Sequence, residues 1–342
     1  MIPTRVPEDL ARRYSRTPAG RAWIAVLPSR LERWVHEWGL EVEDGLGPWS
    51  GFGALVVPVR RGHERLVLKL PYPHAEAESE PVALRLWGGR GAVRLVEADG
   101  VHSHSDGPDG SALLLERLDA GRRLQDVPFP TAIELWGGIV RQLSIEEDGR
   151  PEWAALDRLD ARAEKWSDEL PERWSRLEHP FPRWLLEAAL DVCSTRGVVG
   201  RRGGRDVLVH TDLHGMNILA VQNGPAQNEP AQGGYRAIDP QAAVGEAEFA
   251  VAPMLWNRLP ELRRRDAPEA LLERCYDLAM AAGLDPEAAR AWAVLREVEN
   301  ALWYAAKPGH QGDLERSLWV ASALCSRLLP GLPAAHELKR LD

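Results

Sequence analysis

The sequence predicts an α+β fold in two lobes, a small β-rich lobe followed by a larger, mainly helical one. Three observations carry this. Strand-like runs with Gly-containing turns fill residues 41–70, and further strands are expected at 92–96 and 112–118. Apolar residues at helical spacing dominate beyond residue 119. One strand-rich island, residues 206–239, interrupts those helices. The expected division is 1–118 for the N-lobe and 119–342 for the C-lobe, with the boundary at ERLDAG, residues 116–121.

Taken in order, residues 21–39 place Trp23, Leu27, Leu31, Trp34, Val35 and Trp38 at helical spacing. Pro28 makes this an amphipathic segment of one or two helical pieces. A Gly-rich turn at Gly45–Gly53 leads to the runs Ala54–Arg60 and Arg65–Leu70, read as antiparallel strands. Residues 75–88 read as a helix ending at Gly88-Gly89. Strands are expected at 92–96 and 112–118, separated by a polar loop that holds His102 and His104. Beyond it, helices are expected at 131–147, 153–177, 183–196, 260–282, 286–306 and 312–329. The segment 222–234, QNGPAQNEPAQGG, reads as a loop between two strands.

Composition bounds the function. At 44 % hydrophobic and 27 % charged residues, the 342-residue chain is globular in character. Its 42 basic and 51 acidic residues leave a formal net charge of −9. That argues against nucleic acid, which needs a basic surface, and suits a cationic partner. Residues 1–118 hold 15 basic and 16 acidic side chains, and residues 119–342 hold 27 and 35, so the excess lies in the second part. There is no membrane-length apolar run, no signal-type leader, and three scattered cysteines, Cys193, Cys275 and Cys325. The expectation is a cytoplasmic protein without membrane association, monomeric or homodimeric.

The chemistry concentrates in Val207–Leu219, VLVHTDLHGMNIL, and in Tyr235–Pro240, YRAIDP. Asn217 follows Asp212 by five residues, and Asp239 ends a later strand. This H-x-D-x-x-x-x-N spacing matches the catalytic loop of protein-kinase-like phosphotransferases. An Asp accepts or orients the proton of an attacking hydroxyl. An Asn oxygen and a second carboxylate are the hard donors that Mg²⁺ requires beside nucleotide phosphates. Two other readings stand beside this one. Asp212 and Asn217 could be turn residues, or His210, Asp212 and His214 could begin a hydrolase metal cluster, although no dense His cluster supplies further ligands. His210 itself is expected to be structural, and His214 to pack the loop or touch substrate.

A phosphotransferase needs a nucleotide clamp in the first lobe. Lys69, the sole Lys in the first 164 residues, ends a strand and suits the α- and β-phosphates, or else is a solvated edge residue. Gly51 and Gly53, in a turn that also holds Gly45 and Gly47, can bring backbone N–H groups near phosphates. A helical Glu should orient the Lys. Glu80 is favoured over Glu76 and Glu78, with Pro81 placing it at the helix N-terminal boundary. Residues 113–118, LLLERL, form a hinge where the backbone of Glu116 and Leu118 would face an adenine or guanine.

Together the segments VLKL, EPVALRLWGGRGAVRL, LLLERL, VHTDLHGMNIL, AIDP and GEAEFAVAPMLWNR resemble the aminoglycoside phosphotransferase superfamily. Within it the chain is most similar to the streptomycin 6-kinase and hydroxyurea-resistance kinase branch, from about residue 40 to 329. The resemblance implies a protein-kinase-like bilobal fold and ATP- or GTP-dependent, Mg²⁺-assisted O-phosphorylation of a small molecule, conferring antibiotic resistance. It implies Asp212 as base, Asn217 and Asp239 as Mg²⁺ ligands, and Lys69 on the phosphates. The sequence departs from the family at Ala250, where an Asp is common, and in its Asp239-Pro240-Gln241 ending. The implied acceptor is a cationic, aminoglycoside-like hydroxyl compound. Glu246, Glu248, Glu297, Glu299 and Asn300 are candidates to line its pocket, and Asp313 is first a helix-start residue. Most of the 14 Trp should be core, with one or two free to stack on a sugar or base. The alternatives are a kinase of an amino sugar, a nucleoside-type antibiotic or hydroxyurea, and a non-catalytic nucleotide-binding protein.

Overall fold

The computed structural model describes residues 6–51, 53–73, 75–99, 111–201, 203–222 and 234–340. His102, His104, the side chain of Glu76 and most of the 222–234 segment lie outside the described residues.

The chain opens with helices α1 (Glu8–Tyr14) and α2 (Pro18–Glu37). Thr17 caps α2 by accepting the Gly20 N–H, and Pro18 occupies its first turn. The helix runs unbroken through Pro28 and buries Trp23, Leu27, Leu31 and Trp34. Next come β1 (Glu41–Val42), β2 (Trp49–Ser50), β3 (Ala54–Arg61), β4 (Glu64–Pro71), α3 (Ala75–Trp87), β5 (Leu95–Asp99) and β6 (Ala112–Glu116). The strands form one antiparallel sheet in the order β1-β3-β4-β6-β5, with β2 paired to β3. Alternation gives its faces to two different cores. Leu66, Leu68 and Leu70 of β4 pack with Leu55, Val57 and Val59 under α2. Leu113 and Leu115 turn to the opposite face, where α3 packs with Val82, Leu86 and Trp87. Lys69, between Leu68 and Leu70, is carried on that second face.

The second part contains β7 (Leu118–Arg123), α4 (Phe129–Leu143), β8 (Asp157–Arg158), α5 (Leu159–Arg176), α6 (Arg183–Arg196) and β9 (Val207–His210). It continues with β10 (Ile218–Val221), β11 (Tyr235–Ala237), β12 (Ala242–Gly245), α7 (Ala252–Trp256), α8 (Ala267–Ala282), α9 (Pro286–Ala305) and α10 (Gln311–Leu324). Two small sheets, β11-β10-β7 and β8-β12-β9, hold the strand island against the helices. The loop between β9 and β10 emerges where these sheets meet. α4 and α8 cross closely at Gly137, where a Cβ would come within 2.4 Å of the Ala281 carbonyl oxygen. α9 is the central helix, burying Trp292, Leu295, Val298 and Leu302 among others.

Several boundaries differ from expectation. The helix expected from 153 starts at Leu159, because Asp157 and Arg158 pair in parallel with Ala243 and Val244 of β12. The helix expected from 260 starts at Ala267, with Pro268 in its first turn. The last helix ends at Leu324. There Ser326 adopts a positive φ of 53°, and the chain turns back to bury Leu329, Ala335 and Leu338. The strand expected over 112–118 is two, split at Arg117, whose buried guanidinium pairs with Glu43. Among the described residues, no helix is long and apolar enough to cross a membrane.

Candidate active site

The centre of the site is an ion cluster on β4. Period-two alternation drives Lys69 to the α3 side of the sheet, where its Nζ lies 2.6 Å from both carboxylate oxygens of Glu80. It lies equally close to Asp239 Oδ1. Burial alone would lower the Lys69 pKa, but the Asp239 and Glu80 carboxylates outweigh it and hold the ammonium well above its usual range. Burial pushes Glu80 upward against the opposing charge of Lys69. Burial also pulls Asp239 upward, yet Lys69 leaves it below the usual carboxylate range. The side chains of Lys69 and Glu80 are 8 % and 5 % exposed, that of Asp239 42 %. The cluster therefore opens outward at Asp239. Glu80 sits inside α3 rather than at its boundary, five residues beyond the helix start at Ala75. The buried bond to Lys69 and the packing of Val82, Leu86 and Trp87 outweigh the local cost of Pro81.

The β9–β10 loop is pinned almost entirely through its backbone. His210 is buried at the end of β9. Its Nε2 donates to the Ile238 carbonyl at 3.0 Å and its Nδ1 accepts the Asp212 N–H at 3.2 Å. Burial lowers its pKa to about 4, so the ring is neutral and its single proton lies on Nε2. With both nitrogens occupied, His210 cannot be a metal ligand. Thr211 gives its N–H and hydroxyl to the Gln241 carbonyl, and the Leu213 carbonyl accepts from Trp136 Nε1 at 3.0 Å. Gly215 lets the loop press on the segment after β7, since a Cβ there would lie 2.9 Å from Gln125 Oε1. Asp212 keeps a side chain 25 % exposed.

Asn217 donates its amide Nδ2 to the Asp212 carbonyl at 3.0 Å and lies 3.4 Å from Asp212 Oδ2. This leaves its Oδ1 as a neutral hard donor. Asp239 takes a positive φ of 52°, which turns its carboxylate out of the β11–β12 connection. The Asn217 carbonyl accepts the Ile238 N–H at 2.9 Å, so the two residues are held side by side. An amide oxygen beside an exposed carboxylate oxygen fits a hard cation that keeps waters and phosphate oxygens in its shell. Among the described residues, no group of three or more His, Cys, Asp and Glu is arranged for a metal. The occupied ring nitrogens of His210 disfavour the hydrolase reading.

The remaining candidates of the β-rich part are held by local bonds or burial. Gly51 donates its N–H to the Ala54 carbonyl and closes the β2–β3 hairpin, so that hydrogen is not free for a phosphate. The Gly53 carbonyl accepts the Tyr72 N–H. Glu116 accepts the Arg94 N–H on its side chain at 2.9 Å, and the Leu118 side chain is buried.

The sequence pattern of the aminoglycoside/hydroxyurea antibiotic resistance kinases matches residues 37–308, well over half of the chain. The chain belongs to this family. It is 35 % identical over 304 residues to a streptomycin 6-kinase of Streptomyces glaucescens, covering 87 % of this chain and 90 % of that protein. It is 36 % identical over 317 residues to a hydroxyurea phosphotransferase of Kitasatospora aureofaciens, covering 90 % and 82 %. Its fold resembles the crystal structure of a thermostable mutant of the aminoglycoside phosphotransferase APH(4)-Ia. The TM-score is 0.54 at 15 % identity, over 86 % of this chain and 97 % of the other. A choline kinase from Cryptosporidium parvum matches with a TM-score of 0.50 at 15 % identity, covering 85 % and 89 %. The fold is thus protein-kinase-like, and this antibiotic resistance kinase is a phosphotransferase with a hydroxyl acceptor.

In this family member, the acidic residues expected in an acceptor pocket mostly have other partners. Glu246 is 2 % exposed, and its carboxylate takes Arg196 at 3.1 Å, Arg201 at 3.5 Å and Trp292 Nε1 at 2.6 Å. It ties α6 to α9 and does not face a cleft. Glu248 accepts the Asp285 N–H at the start of α9. Glu297 is 1 % exposed, and burial pushes its pKa up to about 7. Glu299 pairs with Arg173 of α5, and Asp313 with Arg316 and Lys339. Asn300 remains partly exposed, giving its Nδ2 to Glu297 Oε1. The His214 side chain is 12 % exposed, with Nε2 3.7 Å from Asp212 Oδ2. Arg296 was not singled out by sequence, yet its Nη1 donates to the Thr211 carbonyl at 3.0 Å. Its guanidinium lies 5.1 Å from the Phe249 ring centre. A partner that is a backbone carbonyl leaves no side-chain signal.

Proposed function

We propose that the protein transfers the γ-phosphoryl group of ATP or GTP to a hydroxyl of an aminoglycoside-like, streptomycin-type acceptor. One observation carries the reading: the Lys69–Glu80 pair reaches across to Asp239, whose connection is bonded to the loop bearing Asp212 and Asn217. Residues 1–118 then form the nucleotide lobe and 119–342 the catalytic lobe, with the Glu116 and Leu118 backbone beside the base and the Gly51–Gly53 hairpin over the phosphates. Lys69 holds the α- and β-phosphates. Asn217 and Asp239 hold Mg²⁺, which supplies charge neutralisation at the phosphates. Asp212 accepts the hydroxyl proton as the acceptor oxygen bonds to phosphorus. The bond to the bridging oxygen breaks, and its electron pair leaves on the nucleoside diphosphate. The positioning of these groups supplies most of the rate.

The occupied carboxylates favour a second reading, in which the acceptor is small and neutral, as the relative named hydroxyurea phosphotransferase suggests. Incubation with γ-labelled ATP or GTP, Mg²⁺, streptomycin and hydroxyurea tests both. Labelled streptomycin supports the first and labelled hydroxyurea the second. Absence of labelled product with either overturns the acceptor assignment.

A further inference from the structure

With the carboxylates near α9 paired or enclosed, a cationic acceptor needs another means of recognition. α9 is buried on most sides. Arg296, Asn300 and Trp303, at intervals of four and three residues, share one face of α9, and Lys307 follows just beyond the helix end at Ala305. Its flanks are occupied. Glu299 turns to Arg173 of α5, while Glu297 and Tyr304 turn to Ser317 and Arg316 of α10. The strip between them is open, and Trp303 is 43 % exposed.

One end of the strip touches the catalytic loop, where Arg296 holds the carbonyl of Thr211, next to Asp212. At the other end Trp303 stands edge-on to Tyr304 and His310, with ring centres 5.0 and 5.8 Å away. Seven residues of helix separate Arg296 from Trp303, about 10 Å along the axis. Lys307 places its ammonium 3.0 Å from the centre of the Trp303 ring. That contact is the interaction by which an aromatic face receives an organic cation. Between the ends, Asn300 uses its amide nitrogen on Glu297 and leaves its carbonyl oxygen for a hydroxyl or ammonium.

The geometry points to a subsite on α9, Asn300 and Trp303, that takes a cationic part of a multi-ring acceptor, distant from the reacting hydroxyl. Lys307 stands on Trp303 as a tethered substitute for that cation and is displaced when the acceptor binds. The inference rests on the phosphotransfer reading above and adds how a cation is held without carboxylates. Hydroxyurea is too short to reach from Asp212 to Trp303 and serves as the internal control.

Steady-state kinetics on the full chain with streptomycin and with hydroxyurea test the subsite. Trp303→Ala should raise the KM for streptomycin on the order of tenfold relative to that for hydroxyurea. Trp303→Phe keeps a ring and should recover most of that difference. Lys307→Met removes the competing cation and should lower the streptomycin KM about threefold. A Trp303→Ala enzyme whose two KM values move together, or not at all, overturns the subsite while leaving the reaction intact. So does a Lys307→Met enzyme with a raised streptomycin KM, and so does a wild-type enzyme that accepts hydroxyurea alone. Wild-type protein that phosphorylates neither compound overturns the reaction reading, and the subsite falls with it.

Discussion

Two pairs of acidic residues, alike on paper, end in opposite surroundings. Asp212 and Asp239 lie in connections between strands, with side chains 25 % and 42 % exposed. Glu246 and Glu297 pack against or upon α9 at 2 % and 1 % exposure. Backbone bonds to His210, Gln241 and Asn217 hold the first pair in place and leave carboxylate oxygens facing outward. The second pair is enclosed. Glu246 is saturated by arginines and an indole, and Glu297 is left partly unpaired, with Oε2 lacking a hydrogen-bond partner. An acidic excess in a sequence therefore says little about ligand charge until each carboxylate has been assigned to a cleft or to an interior.

The largest expected contrast is between Asp212 and Glu246. Asp212→Asn should lower kcat by about 10²–10⁴-fold while leaving stability within about 1 kcal/mol. Kinetics and chemical denaturation on one preparation check both halves. Glu246→Ala should do the reverse, costing about 3–5 kcal/mol in denaturation because Arg196 and Arg201 lose their buried partner. Full stability in that variant would dissolve the distinction.

Two buried groups should bend the pH–stability curve in opposite senses. His210 is neutral in the fold, with its pKa lowered to about 4. The unfolded chain takes up that proton from about pH 6.5 downward. Its contribution of up to about 3 kcal/mol is thus full above pH 6.5 and lost as pH falls toward 4. Glu297 is raised to about 7, so the native state holds its proton longer than the unfolded chain. Its contribution is full below about pH 4.5 and lost as pH rises through 7. Glu297→Gln should therefore stabilise the protein at pH 8 by up to about 3 kcal/mol and change little at pH 4.5. Denaturant midpoints at the two pH values decide it. The smallest effect belongs to a solvated pair on α5. Glu172→Ala removes an ion pair to Arg176 whose side chains are 72 % and 67 % exposed, and should cost no more than about 0.5 kcal/mol.

How much was legible follows the same line. The β9–β10 loop could be read because phosphotransfer, as proposed, would require Asp212 and Asn217 at a local spacing. Lys69 could be read because it is the sole Lys of the first 164 residues and ends a strand-like run. The helices of the second part showed in their apolar spacing, with boundaries moved wherever a distant strand intervened, as β12 does at Asp157. Most non-local partners were not legible. Nothing near Glu246 announces Arg196 or Trp292, and although the pairing of Glu80 with Lys69 could be expected, Pro81 hid that Glu80 lies inside the helix. Arg296 acts on a carbonyl, which every residue possesses.

The six-stranded sheet is a shared wall between two hydrophobic cores. Leu66, Leu68 and Leu70 fasten β4 to α2 on one side, and Lys69 works on the other. A one-residue slip of that strand would exchange the ammonium for a leucine. The N-terminal helices thus act as a counterweight that keeps the strand in register from the face opposite Lys69. A ligand gripping Lys69 should slow amide hydrogen exchange in α2 on the far face, with the sheet carrying the effect.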